Sequence, residues 1–142
     1  MAESTRFRVA VHVLTLLAYE QPRALTSDYI AGSVNTNPVV IRRVLRLLGK
    51  AGLVVSTEGA QGGTRLARKP GQISLDEVYR AVDRGELFAV TRSEPNPRCP
   101  VGRSVQKVLG AHIDQLEAAL QKQMSRRNVS DILTGVRSAR PR

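Results

Sequence analysis

The chain has 142 residues and a mass of 15.5 kDa, the size of one compact domain with a small appended element. A hydrophobic content of 42% supports a core, built from Leu, Val, Ile and Ala because aromatic residues make up 4% and Trp is absent, while a net charge of +10 (pI near 11.0) points to an anionic partner, nucleic acid or membrane surface. The single cysteine, Cys99, excludes an internal disulfide, Cys99 with His12 and His112 is too few for a four-ligand zinc site, and no apolar run is long enough to span a membrane.

The apolar stretch behind Arg6 and Arg8 is followed by Tyr19-Glu20-Gln21-Pro22, without a small-residue cleavage site, so the chain reads as cytoplasmic. That stretch predicts a helix from Thr5 to Tyr19, buried on most sides because its apolar residues nearly encircle it. Thr26 as N-cap, with Asp28 in the first turn, opens a second helix ending near Val34. Asn37-Pro38, a cap followed by proline at the first helical position, opens a third that stops at Gly52. Two helices joined by the short stretch from Asn35 to Asn37 have helix-turn-helix spacing. Leu53–Ser56 and Thr64–Ala67, around a glycine-rich loop, then predict a β-hairpin, or wing. Ser74 and Glu77 fit a capping box opening a short helix that Gly85 stops. Residues 92–103 form a loop, and a long helix runs from Val101 or Ser104 to Met124. A last short helix is capped by Asn128 or Ser130.

The third helix, Asn37–Ala51, carries the clearest chemistry. At 100° per residue, Ile41, Val44, Leu45 and Leu48 share one sector, and Val39, Arg42, Arg43, Arg46 and Lys50 lie on the opposite face, centred roughly 160° away. Glu58 is the one acidic residue between Asp28 and Asp76, so little nearby neutralises the cationic face. Arginine forks bridge phosphates or take a guanine edge bidentately, and a helix of this width fits the major groove of B-DNA. Thr36 and Asn37 stand at the helix N-terminus, the end that meets base edges and phosphates. Thr26 or Ser27, at the start of the preceding helix, is expected to bond backbone phosphate.

Asn35-Thr36-Asn37-Pro38-Val39-Val40-Ile41-Arg42-Arg43-Val44-Leu45, Ala51-Gly52-Leu53-Val54, Gly62-Gly63-x-x-Leu66-Ala67 and Ile73-Ser74-Leu75-Asp76-Glu77-Val78 together resemble the Rrf2 family of bacterial transcription regulators. Pro97-x-Cys99-Pro100-Val101-Gly102 and the long helix resemble its subgroup without an iron–sulfur cluster, and the likeness covers roughly residues 5–135. The resemblance implies a winged helix-turn-helix, a homodimer held by the long helix, and a palindromic operator read by one recognition helix per subunit. By position it places DNA contacts on Thr36, Asn37, Val39, Arg42 and Arg43, with the Gly59–Gly63 wing, Gly62 included, in or over the minor groove. Two departures stand out. Cluster-binding members carry three cysteines where this chain has Cys99 alone, so no such cofactor is expected. Glu58 replaces an arginine common before the first wing glycine; a carboxylate there repels phosphate, and Arg65 is the substitute contact.

Cys99 lies between Arg98 and Pro100 with Arg103 close by, and positive charge favours a thiolate. It reads either as a redox sensor, oxidised or joined to a partner subunit's cysteine, or as a half-buried packing residue. His12 reads as a core or dimer-contact histidine, and His112 has no converging partner. No nucleophile–base pair, carboxylate dyad or Walker loop supports an enzyme. The fold class expected is mainly α with a small β-hairpin: a winged helix-turn-helix over 1–85, a linker and long dimerisation helix over 86–135, and a disordered basic tail over 136–142. The function expected is a homodimeric, sequence-specific repressor, redox-responsive through Cys99, whose partner is duplex DNA rather than a membrane. Val105, Leu109, Leu116 and Leu120 should be buried at a subunit interface or against the winged domain. The alternative is a protein-interaction adaptor that uses the winged helix only as a scaffold; it leaves the basic face of the third helix without a purpose.

Overall fold

A computed structural model of the chain describes residues 3–83, 88 and 93–141. The elements run α1 (Glu3–Tyr19), α2 (Ser27–Val34), α3 (Pro38–Lys50), β1 (Val54–Thr57), β2 (Gly63–Leu66), a short 3-10 turn (Pro70–Gln72), α4 (Leu75–Val82), α5 (Pro100–Ser125) and α6 (Val129–Ser138). The core gathers around α1, which touches α2, α3, α4, α6 and β2. Ala10, Val13, Leu14 and Leu17 of α1 are buried, and Phe7, Val9, Val11 and Leu16 pack against the same cluster. An element enclosed on so many sides needs no strict polar face, which is why its apolar residues run nearly all round it.

Each of the three following helices opens on the cap read from its sequence. Thr26 Oγ1 accepts the Tyr29 amide at 3.2 Å, and Asn37 Oδ1 accepts the Val39 amide at 2.8 Å. Ser74 and Glu77 close a reciprocal capping box at α4. In α3 the buried residues are Ile41, Val44, Leu45 and Leu48. Gly52, at φ 73°, ends the helix in the left-handed conformation that glycine adopts without strain.

The wing pairs Val54 with Leu66, Val55 with Arg65, Ser56 with Thr64 and Thr57 with Gly63. This is one residue later in the first strand, and one earlier in the second, than the pattern predicts. Leu53 is fully buried, and its amide bonds Leu48 O at 3.0 Å, so it closes the end of α3 and strand pairing starts at Val54. Leu25 adds an isolated rung on the other side of β2: its amide donates to Thr64 O at 3.0 Å, and the Thr64 amide donates back at 2.8 Å. A Cβ on Gly63 would stand 2.8 Å from Leu25 O, and one on Gly62 would stand 2.5 Å from Thr57 O. Glycine at 63 thus lets the wing approach the segment entering α2, and glycine at 62 lets the wing's own loop close.

Two expectations change at the C-terminal end, and one open alternative is decided. The long helix starts at Pro100, with Cys99 as its N-cap; proline's fixed φ and missing amide suit a first helical position. Asn128, rather than Ser130, caps α6, and α6 continues to Ser138, so Val136 to Ser138 are helical instead of belonging to the tail. Val129 and Leu133 anchor this helix in the core, and the Arg137 guanidinium lies 5.9 Å from the Tyr19 ring centroid. The Gly85 stop, the boundary between residues 85 and 86, and Arg142 fall outside the described residues.

Replacing Leu14 by Ala, at a site with 0% exposure in the middle of α1, should cost about 2–5 kcal/mol. Urea unfolding at fixed protein concentration measures it; a loss below 1 kcal/mol would show that the cluster around α1 is not the main core.

Candidate nucleic-acid interface

The turn between α2 and α3 is tight because Asn35 takes the left-handed conformation (φ 63°) and the Asn35 and Thr36 amides both fold back on Ala31 O. Asn tolerates this region better than most residues. The turn sets α3 across α2, and burial of the Ile41–Leu48 stripe leaves Val39, Arg42, Arg43, Arg46 and Lys50 exposed. An open groove of about 600 Å³ runs between the entrance of α2, the side of α3 and the wing. Thr26, Ser27, Arg42 and Arg46 line it together with Thr57 and Gly63. Two arginines, a hydroxyl pair and a helix N-terminus on one open surface are groups whose chemistry suits phosphate oxygens.

The sequence-derived contacts do not all meet there. Val39 and Arg43 stand on the exposed face of α3 but do not line the groove. Asn37 spends its side-chain oxygen on the cap of α3. Thr36 is half-buried in the turn. Gly62 closes the wing loop by donating its amide to Gly59 O at 2.9 Å. Arg65 is exposed on the outer side of β2, paired with Val55, and lines a different groove. Ser56 and Thr57 are groove residues that the sequence reading missed; only the hairpin register identifies them. His12 is an exposed residue on α1 rather than a core one, its Nε2 2.9 Å from Ser33 Oγ, and His112 is exposed on α5.

Such a helix pair, with its second helix turning a cationic face outward beside a two-stranded wing, defines a winged helix-turn-helix protein of the DNA-binding class. Residues 3–135 match the Rrf2 family, described as iron-dependent transcriptional regulators, and the chain belongs to that family. It is 38% identical over 130 residues to YwnA of Bacillus subtilis (strain 168), which is named as an HTH-type transcriptional regulator; the match spans 92% of this chain and 96% of YwnA. A solved structure described as that of a DNA-binding protein superposes with a TM-score of 0.71 at 36% identity, over 90% of this chain and 98% of that one. CymR, the global cysteine regulator of B. subtilis, shares the fold at 19% identity, with a TM-score of 0.70 over 94% of this chain and 97% of CymR. No helix among the described residues is long and apolar enough to cross a membrane.

The iron in the family's description finds few ligands here. Cys99 is the chain's one cysteine, and among the described residues no three His, Cys, Asp or Glu side chains converge on a point. The residues present therefore do not fit a cysteine-ligated cluster. Cys99 is exposed rather than half-buried, in a tightly built loop. Asn96 Oδ1 accepts the Arg98 amide at 2.9 Å, Asn96 O accepts the Cys99 amide at 3.2 Å, and Gly102 lies so close that a Cβ would meet Asn96 O at 2.5 Å. The Cys99 side chain makes no capping hydrogen bond of ordinary geometry. The free amides of Gly102 and then Val101 at the start of α5 stabilise its anion, lowering the Cys99 pKa against a small opposing effect of desolvation. The cause is thus the helix N-terminus rather than the neighbouring arginines singled out in the sequence.

Alkylation of Cys99 by iodoacetamide should show a pH midpoint below that of an ordinary thiol, and unfolding in urea should raise it. Equal midpoints in the folded and unfolded chain would remove the helix terminus as the cause.

Proposed function

We propose that this regulator binds a palindromic operator as a homodimer and acts as a repressor in the cytoplasm by occupying that site. The observation that carries the reading is the division of α3 into a buried stripe and an exposed basic face bordered by the wing groove. In this reading α3 enters the major groove, with Arg42 and Arg43 toward base edges and phosphates, and Thr26, Ser27 and Arg46 follow the backbone. Two such helices read half-sites about 34 Å apart, one turn of the duplex.

Homodimerisation is supported by α5, a helix of 26 residues in which none is buried in the single chain. Val105, Leu109, Leu116 and Leu120 are 40%, 50%, 58% and 37% exposed in the single chain; Leu120 lines a groove with Tyr79 and Arg80 of α4, and none of the four is buried against the winged unit. Val101, Val105, Val108 and Leu109 line a nearly apolar trough that a second copy of α5 would fill. Within this reading Cys99, exposed at the start of the same helix and with its thiolate favoured, is the group through which an oxidant or electrophile alters the dimer and its hold on DNA.

Selection of bound duplexes from random DNA, with and without diamide, tests the reading as a whole: enrichment of an inverted repeat is expected, and no enrichment would overturn it. Arg43→Ala should weaken binding to the selected site by about 1–3 kcal/mol and relax one position; an unchanged titration at fixed salt removes Arg43 as a contact. Sedimentation at micromolar concentration should give a dimer, and Leu109→Asp with Leu116→Asp should give monomers that no longer bind the repeat. Cys99→Ser should abolish any response to peroxide or diamide; an equal response in the variant ends the sensor role.

A further inference from the structure

Outside the groove beside α3, a second open groove of about 610 Å³ lies at the base of the wing, between the α1–α2 turn and β2. Its lining includes Gln21, Pro22, Arg23, Arg65 and Leu66. Arg23 and Arg65 are far apart in sequence and are brought to one groove by the Leu25–Thr64 rung, which ties the segment after Arg23 to the strand that carries Arg65. The Arg23 guanidinium stacks over the Tyr29 ring, 4.8 Å from its centroid, and sits 3.6 Å from Glu20 Oε2, with its side chain still 60% exposed. Tyr29 Oη in turn donates to Glu20 Oε1 at 3.0 Å, so the carboxylate is shared between two donors. Two positive charges therefore face one groove against a single shared carboxylate. An ion pair of such exposure is weak and leaves most of the guanidinium N–H groups to solvent or to another anion.

The wing tip has the opposite sign. Glu58 is exposed beside Gly59, and among the described residues no cation pairs with it. A phosphate approaching the wing is repelled at its tip and attracted at its base.

Resting on the DNA-binding reading above, we propose that the wing-base groove is a backbone-phosphate site in which Arg23 and Arg65 hold the DNA strand beside each half-site, with Tyr29 as the positioning residue that orients Arg23. The contact is to phosphate and blind to sequence, so it adds affinity and register without adding a base to the operator. It also carries the wing's share of the electrostatic attraction from the strand base, leaving the tip loop clear of the backbone.

The test is a titration of the full-length protein with a duplex carrying the selected operator, and with an unrelated duplex, between 50 and 200 mM salt. A protein that gives up one phosphate contact has a shallower salt dependence: the ratio of its affinities at the two ends of this range falls by about 3.5-fold relative to wild type. In the dimer each substitution removes two such contacts, so Arg23→Ala and Arg65→Ala should each flatten the dependence by about 12-fold on both duplexes, and Arg23→Lys should restore most of it. A shift of Arg23→Ala binding that is parallel at every salt concentration, or no shift at all, would overturn the proposal, because a purely structural role for Arg23 leaves the number of neutralised phosphates unchanged. If wild type itself fails to bind either duplex in a salt-dependent way, the DNA-binding reading fails first; if wild type binds and Arg23→Ala has the same slope, only the wing-base site fails. Circular dichroism of each variant shows that the helices are intact.

Discussion

The seating of one stripe of α3 in the cluster around α1 is the constraint on which the rest depends. Ile41, Val44 and Leu48 are almost fully buried, and Leu45 nearly so. With those four side chains committed to the core, the helix has no rotational freedom left. Arg42, Arg43, Arg46 and Lys50 then project outward because the 3.6-residue repeat leaves them nowhere else to go. A basic helix that was free to roll would expose an average of its faces. This one presents its cationic edge in a fixed direction before any anion arrives, so the ordering left for binding is that of the exposed side chains rather than of the helix.

The Leu25–Thr64 rung performs the same task for the wing. A two-stranded hairpin of four residues per strand is barely stable alone. Here β2 is tied through reciprocal backbone bonds to the residue just before the N-cap of α2, and Ser56 and Thr64 hydroxyls lie 3.0 Å apart on the inner face. The close approach of Gly63 to Leu25 is the geometric condition for that tie. The same rung explains why two separate grooves flank the wing: one faces α3 and collects Thr26, Ser27 and Arg46, and the other faces the α1–α2 turn and collects Arg23 and Arg65. Charge that looks scattered along the sequence is sorted by one pair of hydrogen bonds.

What could be read from the sequence was whatever short-range chemistry decides. Thr26, Asn37 and Ser74 cap their helices because a side-chain oxygen within three residues of free amides leaves few alternatives. The buried stripe of α3 followed from period alone, and with it the placement of Arg42 and Arg43. Features set by contacts between distant segments were hidden. Nothing local relates Arg23 to Arg65, or places Ser56 and Thr57 across from Arg42. Val136 to Ser138 looked like the start of a basic tail because the residues around them are polar, yet Val129 and Leu133 hold α6 on α1 and the helix runs on. Cys99 was read through its charged neighbours, whereas the nearest electrostatic source is the start of its own helix, which sequence charge does not record.

The helix α5 shows where the economy of a single chain stops. It touches α4 in its C-terminal half, where Leu120 and Met124 line a groove with Tyr79 and Arg80, and no residue along its length is buried. Helical propensity alone leaves a helix marginal in water, and most helical stability in proteins comes from packing an apolar face. Val101, Val105, Val108, Leu109 and Leu116 stand in the open, so among the described residues this helix has no packed apolar face. If a second α5 supplies that packing, folding of the helix and pairing of the subunits are one event, and the pairing also sets the distance between the two α3 helices. The residues that reach DNA would then be positioned twice by the same physics: within a chain by the stripe that locks α3 to α1, and between chains by the stripe that α5 leaves uncovered. Cys99 stands at the N-terminal end of that uncovered stripe, so under the same condition a change there would act on the spacing of the two α3 helices rather than on the basic face itself.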